Sequence, residues 1–437
     1  MHTMINELYS HFQKHPQVCT DTREIKPNSI FFALKGGNFN ANNFAEQALN
    51  AGCSLAVIDE EKYKKDERFF LVDDVLTTLQ QLANHHRKQL SIPIISITGT
   101  NGKTTSKELV NAVLSQKYKV QATKGNLNNH IGVPLTLLSI TNEHEMAIVE
   151  MGANHQGEIA MLCGIAEPDF GMITNIGKAH LEGFGGAEGV VKAKSEMYKY
   201  IKQKGGSLFV NADNPLLMGL ADGIHKIMYG KENEADFQGV YVESNPFVKL
   251  KCKAKTDNES FEQKPIINTQ LIGNYNFENI VAAACIGNYF DVSETEIKNG
   301  LENYVPSNNR SQVMQTKDNL LLLDAYNANP SSMKAAIENF AEMNQPNKMA
   351  ILGDMLELGD ESEKEHVAIV QLLKEKNMLN VILVGPYFVD AGIFIKANSF
   401  LTSMEAADYL KQQHLQGFTI LIKGSRGIKL EKVAEVL

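Results

Sequence analysis

Residues 92–105 read I-P-I-I-S-I-T-G-T-N-G-K-T-T. The apolar, β-branched run before Gly99 predicts a buried strand. After Thr105, S-K-E-L-V-N-A-V-L carries apolar residues at helical spacing. Strand, glycine loop, Gly102-Lys103-Thr104 and helix together form a phosphate cradle. Glycines let backbone N–H groups close around an anion, and the helix start adds the positive end of its dipole. Gly99, Thr100, Asn101, Gly102, Lys103, Thr104 and Thr105 are the expected nucleotide-binding residues, with Lys103 reaching the outer phosphates and the Thr104 hydroxyl ligating Mg2+. The loop is short. The general G-x-x-x-x-G-K-[ST] pattern puts its first glycine at position 97, where Ile97 stands; the upstream glycine is Gly99, two residues nearer the lysine.

Outward from this loop, strand-like and helix-like segments alternate almost throughout. Upstream lie I-F-F-A-L (30–34), a helical F-A-E-Q-A-L-N-A-G (44–52), L-A-V-I-D (55–59) and an amphipathic helix over 73–90 that runs up to Pro93. Downstream, M-A-I-V-E (146–150), F-G-M-I-T (170–174) and S-L-F-V (207–210) continue a doubly wound pattern. A more polar strand-like stretch over 230–268 suggests an antiparallel extension, and a strong helix follows over 277–290. After P-S-N-N-R (306–310) a second alternation begins, with strands L-L-L-L-D (320–324), M-A-I-L-G (349–353), V-I-L-V-G (381–385) and T-I-L-I-K-G (419–424). The fold class expected is α/β in three domains. These are a small mixed α/β domain over 1–90, a central P-loop domain with a doubly wound, mainly parallel sheet over 91–309, and a Rossmann-like domain over 310–437.

Composition narrows the function. At 437 residues the chain is too long for one core, and 43% apolar with 21% charged residues fits a globular protein. A net charge of −9 gives no global footprint for nucleic acid or an anionic membrane. No run approaches the roughly 20 apolar residues that cross a bilayer, and the N-terminus shows no basic region followed by an apolar core. Five scattered cysteines without a C-x-x-C fit reduced thiols in a cytoplasmic protein.

In open α/β sheets ligands bind at the carboxyl ends of strands. Glu150, Asn175, Asp324, Asp354 and Lys423 stand at such ends, where chemistry is expected. Glu150 can ligate Mg2+ on ATP phosphates as a Walker-B acid does, or simply be solvated. His180 lies in a glycine-rich loop, T-N-I-G-K-A-H-L-E-G-F-G; a lone loop histidine is more often a surface residue than a ligand. Lys192, Lys194 and Lys199 read on spacing alone as a basic helix face.

The motifs taken together resemble the Mur ligases, ATP-dependent amide ligases of peptidoglycan precursor synthesis. The resemblance runs in order through D-T-R-E-I-K-P-N-S-I-F-F-A-L (21–34), T-G-T-N-G-K-T-T (98–105), K-G-N-L-N-N-H-I-G-V-P (124–134) and E-M-G-A-N-H-Q-G-E-I (150–159). It continues through N-I-G-K-A-H-L-E-G-F-G (175–185), N-Y-N-F-E-N-I-V-A-A (274–283), D-A-Y-N-A-N-P-S-S-M (324–333), L-G-D-M-L-E-L-G (352–359) and K-G-S-R-G-I-K (423–429). The short loop is the superfamily's usual form. The 150–159, 326–333 and 353–359 motifs are closer to the member that joins D-alanyl-D-alanine to UDP-N-acetylmuramoyl-tripeptide.

This resemblance implies a first domain holding the UDP-sugar, a second holding ATP, and a third that closes over both and brings the amine. It implies two magnesium sites, with Thr104 and Glu150 ligating one and His180 the other, and a carbamylated lysine at Lys194, with Lys192 the competing candidate. Lys103, His180 and Lys194 are then the catalytic set. Asn276 and Asn279 match asparagines that approach adenine, although Tyr275 replaces the family's usual histidine. Arg310 is expected at phosphate and Asp324 at ribose. Thr22 and Arg23 match the uridine-diphosphate corner, and Asn128, Asn129, Asn154 and His155 fall in motifs expected at substrate. Asn327, Asn329, Ser425 and Arg426 are expected at the dipeptide, Arg426 gripping its carboxylate bidentately. A monomer is expected.

Two other readings stay open on the residues. A folate polyglutamate ligase or another Mur ligase keeps the chemistry and changes the substrates. The D-N-P-R motif of the diaminopimelate- or lysine-adding enzyme is missing, since Asp213-Asn214-Pro215 is followed by Leu216. A P-loop switch or motor would turn over ATP without an amine acceptor.

Overall fold

The strand Ile94–Thr98 is buried at every residue and lies inside a nine-stranded sheet. A computed structural model describes residues 2–437 apart from Ala179, His180, Asn233, Asn308 and Lys396. The sheet runs Ile267–Ile272, Phe247–Ala254, Phe237–Ser244, His225–Gly230, Ser207–Asn211, Phe170–Ile173, Ile94–Thr98, Met146–Glu150, Val120–Ala122. Neighbours pair parallel from Val120–Ala122 as far as Phe237–Ser244. The last two pairs are antiparallel, the extension expected over 230–268. The chain enters at Ile94–Thr98 and later adds strands on both of its sides. That makes its carboxyl end the topological switch point, where an open α/β sheet leaves its crevice.

The N-terminal part carries a four-stranded parallel sheet in the order Val18–Cys19, Ile30–Phe32, Leu55–Ile58, Phe69–Leu71. The outer strands and Val120–Ala122 have two or three residues, too few for an alternating pattern, and sequence reading passed over them. The helix Val75–Gln89 begins at Asp74, whose carboxylate accepts the Thr77 N–H at 2.7 Å. Its buried face does not close one domain. A continuous apolar cluster runs from Phe32 and Val57 through Leu79 and Leu82 to Leu137, Ile159 and Leu162 of the central part. Leu79→Ala removes a fully buried side chain from the middle of that cluster. It is expected to lower the unfolding free energy by about 2–5 kcal/mol, read by urea denaturation. A loss below about 1 kcal/mol would show that the two layers do not share one core.

The C-terminal sheet runs Gln312–Gln315, Leu320–Asp324, Thr419–Lys423, Lys348–Gly353, Val381–Val384, Asn398–Phe400. All neighbours are parallel except the first pair. The four inner strands are those read from sequence. The two edges are short and partly exposed, so they lack an apolar run. Among the described residues no helix is long and apolar enough to cross a membrane.

Candidate active site

The loop between Thr98 and Lys103 can be built only with glycine where glycine stands. Gly99 has φ +148, and a Cβ there would lie 2.0 Å from Thr174 Oγ1. Two residues hold the loop: Asn175, where the strand-end position led to an expectation of chemistry, and Thr174, which sequence reading passed over. Thr174 Oγ1 donates to the Asn101 carbonyl at 2.6 Å. Asn175 accepts the Asn101 N–H at 3.0 Å and donates to its carbonyl at 3.1 Å. Their only signal was a position just past a strand end. Lys103 folds back over the loop, its Nζ donating to the carbonyls of Gly99 (2.8 Å) and Thr100 (3.1 Å). Burial pushes the Lys103 ammonium below its usual range; nearby Glu150 opposes this and Arg310 adds to it.

Glu150 ends its strand with the side chain buried, 1% exposed. Its Oε1 accepts from Thr104 Oγ1 at 3.1 Å and Asn128 Nδ2 at 2.7 Å. Its Oε2 is buried with no hydrogen-bond partner among the described residues. A carboxylate oxygen left bare in the interior is costly, and a hard cation shared with the Thr104 hydroxyl suits it. Thr104 and Glu150 therefore fit a magnesium ion. His180 lies outside the described residues.

Of the three lysines on the helix Ala187–Lys204, Lys192 and Lys199 are exposed, whereas Lys194 is 2% exposed. Its Nζ stands 5.4 Å from the centre of the Phe184 ring. Burial, with the neighbouring Lys103 ammonium, brings its pKa down to about 7; Glu158 and Glu196 pull the other way.

Over this loop the two sheets face each other across a cleft of about 800 Å³. It is lined by Thr100–Thr105, Asn128, Asn129, Glu150, Asn154, Asn276 and Asn279 on one side. Arg310, Asp324, Asn327 and Asn329 line the other. Three contacts tie the C-terminal part to the central part. Asn329 Nδ2 donates to Asn101 Oδ1 at 2.7 Å, Lys178 Nζ pairs with the buried Glu365 at 2.7 Å, and the Lys178 N–H reaches Ser331 Oγ at 3.2 Å. Lys178→Ala is expected to raise the KM for ATP roughly two- to fivefold, the worth of one partly exposed ion pair. Steady-state kinetics check this, and an unchanged KM would show that this tie is idle.

Several expected residues have other partners here. Asn276 and Asn279 line the cleft, but their amides form a buried chain. Ser106 Oγ donates to Asn279 Oδ1, Asn279 Nδ2 to Asn276 Oδ1, and Asn276 Nδ2 to Ser311 Oγ. Asp324 pairs with buried Lys423 at 2.5 Å, a partner 99 residues away that sequence reading noted only as a strand end. Arg310 lies over the Tyr326 ring, its Cζ 3.6 Å from the ring centre, with Arg426 at 5.4 Å from the same ring. Asn327 accepts the Ala328 N–H, and Asn329 caps the helix Pro330–Glu342. Ser425 Oγ is buried and accepts the Leu356 N–H. Asn129 Oδ1 caps the helix Gly132–Leu138. His155 and the backbone N–H groups of Asn154 and His155 hold Glu158. Neither His155, Ser425, Arg426 nor Lys194 lines the cleft, and Thr22 and Arg23 lie in the N-terminal part, Arg23 86% exposed at its side chain and bidentate to Asp21. Glu357, which sequence reading did not single out, enters the cleft from a left-handed backbone position, φ +64.

Asp354 corrects an expectation. Its strand-end position suggested chemistry, but the side chain is fully buried and accepts the N–H groups of Tyr387 (3.1 Å) and Phe388 (2.9 Å) at the start of the helix Pro386–Gly392. The neighbouring strand's helix needs a cap, and Asp354 serves as that cap.

A P-loop whose carboxylate, lysines and cleft are completed by a second Rossmann-like sheet defines a two-sheet nucleotide enzyme. The Mur ligase middle domain matches residues 97–287 and the Mur ligase glutamate ligase domain matches 309–426, and the chain belongs to the Mur ligase family. It is 35% identical to the UDP-N-acetylmuramoyl-tripeptide--D-alanyl-D-alanine ligase of Bacillus subtilis, covering 100% of this chain and 95% of that one. It is 35% identical to the Escherichia coli ligase of the same name, covering 96% and 93%. A crystal structure of MurF from Acinetobacter baumannii superposes with a TM-score of 0.84 at 31% identity, covering 96% and 93%. MurF from Thermotoga maritima in complex with ADP superposes at 0.82 and 26% identity, covering 96% of each chain.

Proposed function

We propose that this chain is an ATP-dependent amide ligase that adds D-alanyl-D-alanine to UDP-N-acetylmuramoyl-tripeptide in peptidoglycan precursor synthesis. The observation that carries the reading is the cleft, in which the phosphate loop and the third domain face each other and can bring a phosphoryl donor and an amine together. The identity to ligases of that name over the whole chain supports the substrates.

In this reading residues 1–90 hold the UDP-sugar through Thr22 and Arg23, 91–309 hold ATP, and 310–437 receive the dipeptide. The terminal carboxylate of the tripeptide takes the γ-phosphoryl group, because a free carboxylate is a poor acyl donor. The dipeptide amine then attacks the acyl phosphate and phosphate leaves. Lys103 swings from its own loop carbonyls to the phosphates and neutralises charge as it develops. Thr104 and Glu150 would hold one magnesium ion and His180 the second; bound magnesium neutralises charge on the transferring phosphoryl group. Closure of the third domain would exclude water that otherwise hydrolyses the acyl phosphate. Arg310 reaches phosphate by leaving the Tyr326 ring, Asp324 reaches ribose, and Arg426 takes the dipeptide carboxylate.

Lys194 does not line the cleft, but its ammonium feels that of Lys103, and this reading gives it a carbamate. A buried lysine whose pKa is near 7 is partly a neutral amine at neutral pH, and a neutral amine adds CO2 with loss of one proton. The product is an anion able to ligate metal where an ammonium cannot. Five free thiols fit a reducing, cytoplasmic setting.

The test is direct. Enzyme, ATP and MgCl2 are incubated with UDP-muramoyl peptides and D-Ala-D-Ala, and products are weighed by mass spectrometry. The expected result is ADP release that needs both substrates and a product heavier by the dipeptide less water. ADP release without an acceptor would instead mark a switch or motor.

A further inference from the structure

Two thiols in the N-terminal sheet are brought together by its strand order. The strands that begin after them or contain them, Leu55–Ile58 and Val18–Cys19, flank Ile30–Phe32 on either side. Cys19 and Cys53 therefore meet over the start of the middle strand. Their Sγ atoms are 4.0 Å apart, and Ser29 Oγ lies 3.3 Å from Cys53 and 3.7 Å from Cys19. Cys19 is half-buried and Cys53 is 6% exposed. No step of the ligase reaction uses either sulfur.

We propose that Cys19 and Cys53 form a peroxide-sensitive dithiol whose closure to a disulfide displaces the Asp21–Arg23 turn. The effect on activity rests on the reading that this turn holds the UDP end of the substrate. The geometry sets the consequence. A disulfide needs an S–S distance of about 2.05 Å, so the sulfurs must approach by about 2 Å. The sulfur easier to move belongs to a two-residue strand held in register only at Val18↔Ile30 and Cys19↔Phe31. Asp21, Thr22 and Arg23 follow directly, and Arg23 is tied to Asp21 by its backbone N–H and its guanidinium. A shift at Cys19 therefore carries the turn with it.

The chemistry needs one oxidant, a peroxide. With the Cys19 S–H turned towards Cys53, their contact favours the thiolate at Cys53 and holds the Cys19 thiol up. The Cys53 thiolate attacks the O–O bond of hydrogen peroxide, giving a sulfenic acid and, after protonation, one water. Cys19 then attacks the Cys53 sulfur, the S–S bond forms and a second water leaves. Two thiols and one peroxide become one disulfide and two waters.

The protein carries its own controls. Cys163, Cys252 and Cys285 are buried as Cys53 is, but burial pushes their thiols up, towards the unreactive form, without the Cys19 contact that opposes it at Cys53. Full-length protein is treated with hydrogen peroxide, denatured, alkylated and mapped by mass spectrometry without reduction. The expected result is a cross-linked pair of peptides containing Cys19 and Cys53, with the other three cysteines still alkylated. In Cys19→Ser the Cys53 sulfenic acid should persist and be trapped by dimedone. Five alkylated cysteines after peroxide, or no dimedone adduct in that variant, would overturn the proposal. On the oxidised wild type the KM for the UDP-tripeptide should rise at least threefold and return with dithiothreitol, while Cys53→Ser shows no response to peroxide. A disulfide that leaves this KM unchanged would overturn the displacement of the turn. Failure of the reduced wild type to ligate would instead strike the function reading and leave the thiol chemistry standing on its mass data.

Discussion

Lys103→Met is expected to lower kcat about 100- to 1,000-fold while changing the KM for D-Ala-D-Ala little. Methionine keeps most of the volume and removes the charge. Resting on the carbonyls of Gly99 and Thr100, the ammonium is already bonded inside its own loop, so its ground-state contacts are not scarce. What it adds is realised when negative charge gathers on the transferring phosphoryl group, in a site with little water to screen it. Removing one such preorganised donor costs about 10²–10³ in kcat. The measurement is steady-state ADP release with both substrates present. Retention of more than a tenth of the wild-type kcat would take Lys103 out of phosphoryl transfer.

The second large effect falls on Lys194, and it separates a carbamate from a plain lysine. Lys194→Ala is expected to lose at least about 100-fold in kcat, as expected when an anion that would hold metal at the transferring phosphoryl group is removed. Added short carboxylates such as formate or acetate should restore part of it, because they return an anion to the space the lysine side chain vacates. Neither would help if Lys194 served as a cation. Incubation with 13C-labelled CO2 should give one carbamate resonance in the wild type that is absent from the alanine variant. The signal should grow as pH rises through about 7, since only the neutral amine adds CO2. Full activity in Lys194→Ala would remove it from the site. Its neighbours Lys192 and Lys199 share the helix but face solvent, and their alanine variants should behave as wild type.

The site was legible in the sequence where function is written into local spacing. The strand, Gly99, Gly102-Lys103-Thr104 and the following helix fix a phosphate cradle within about a dozen residues, and Glu150 stands at the end of a strand that reads plainly as buried. The partners that complete the cleft were not legible because they come from far along the chain. Asn101 meets Asn329 across 228 residues, and Lys178 meets Glu365 across 187. Such pairs depend on how one sheet docks on another, and no local pattern records that. The strand-end rule also overreached at Asp354. There the carboxylate meets a helix start on the neighbouring strand's connection, and capping those N–H groups takes it out of the cleft.

Tyr326 carries Arg310 on its face and Arg426 within reach of the same ring. One aromatic surface thus anchors the guanidinium proposed for ATP and the one proposed for the dipeptide. Whatever draws Arg310 away to a phosphate leaves the ring to Arg426 and relieves the repulsion between the two cations. Under those proposed roles, affinity for ATP is expected to depend on whether the dipeptide is bound. By thermodynamic reciprocity, the factor by which ATP alters dipeptide binding must equal the factor by which dipeptide alters ATP binding.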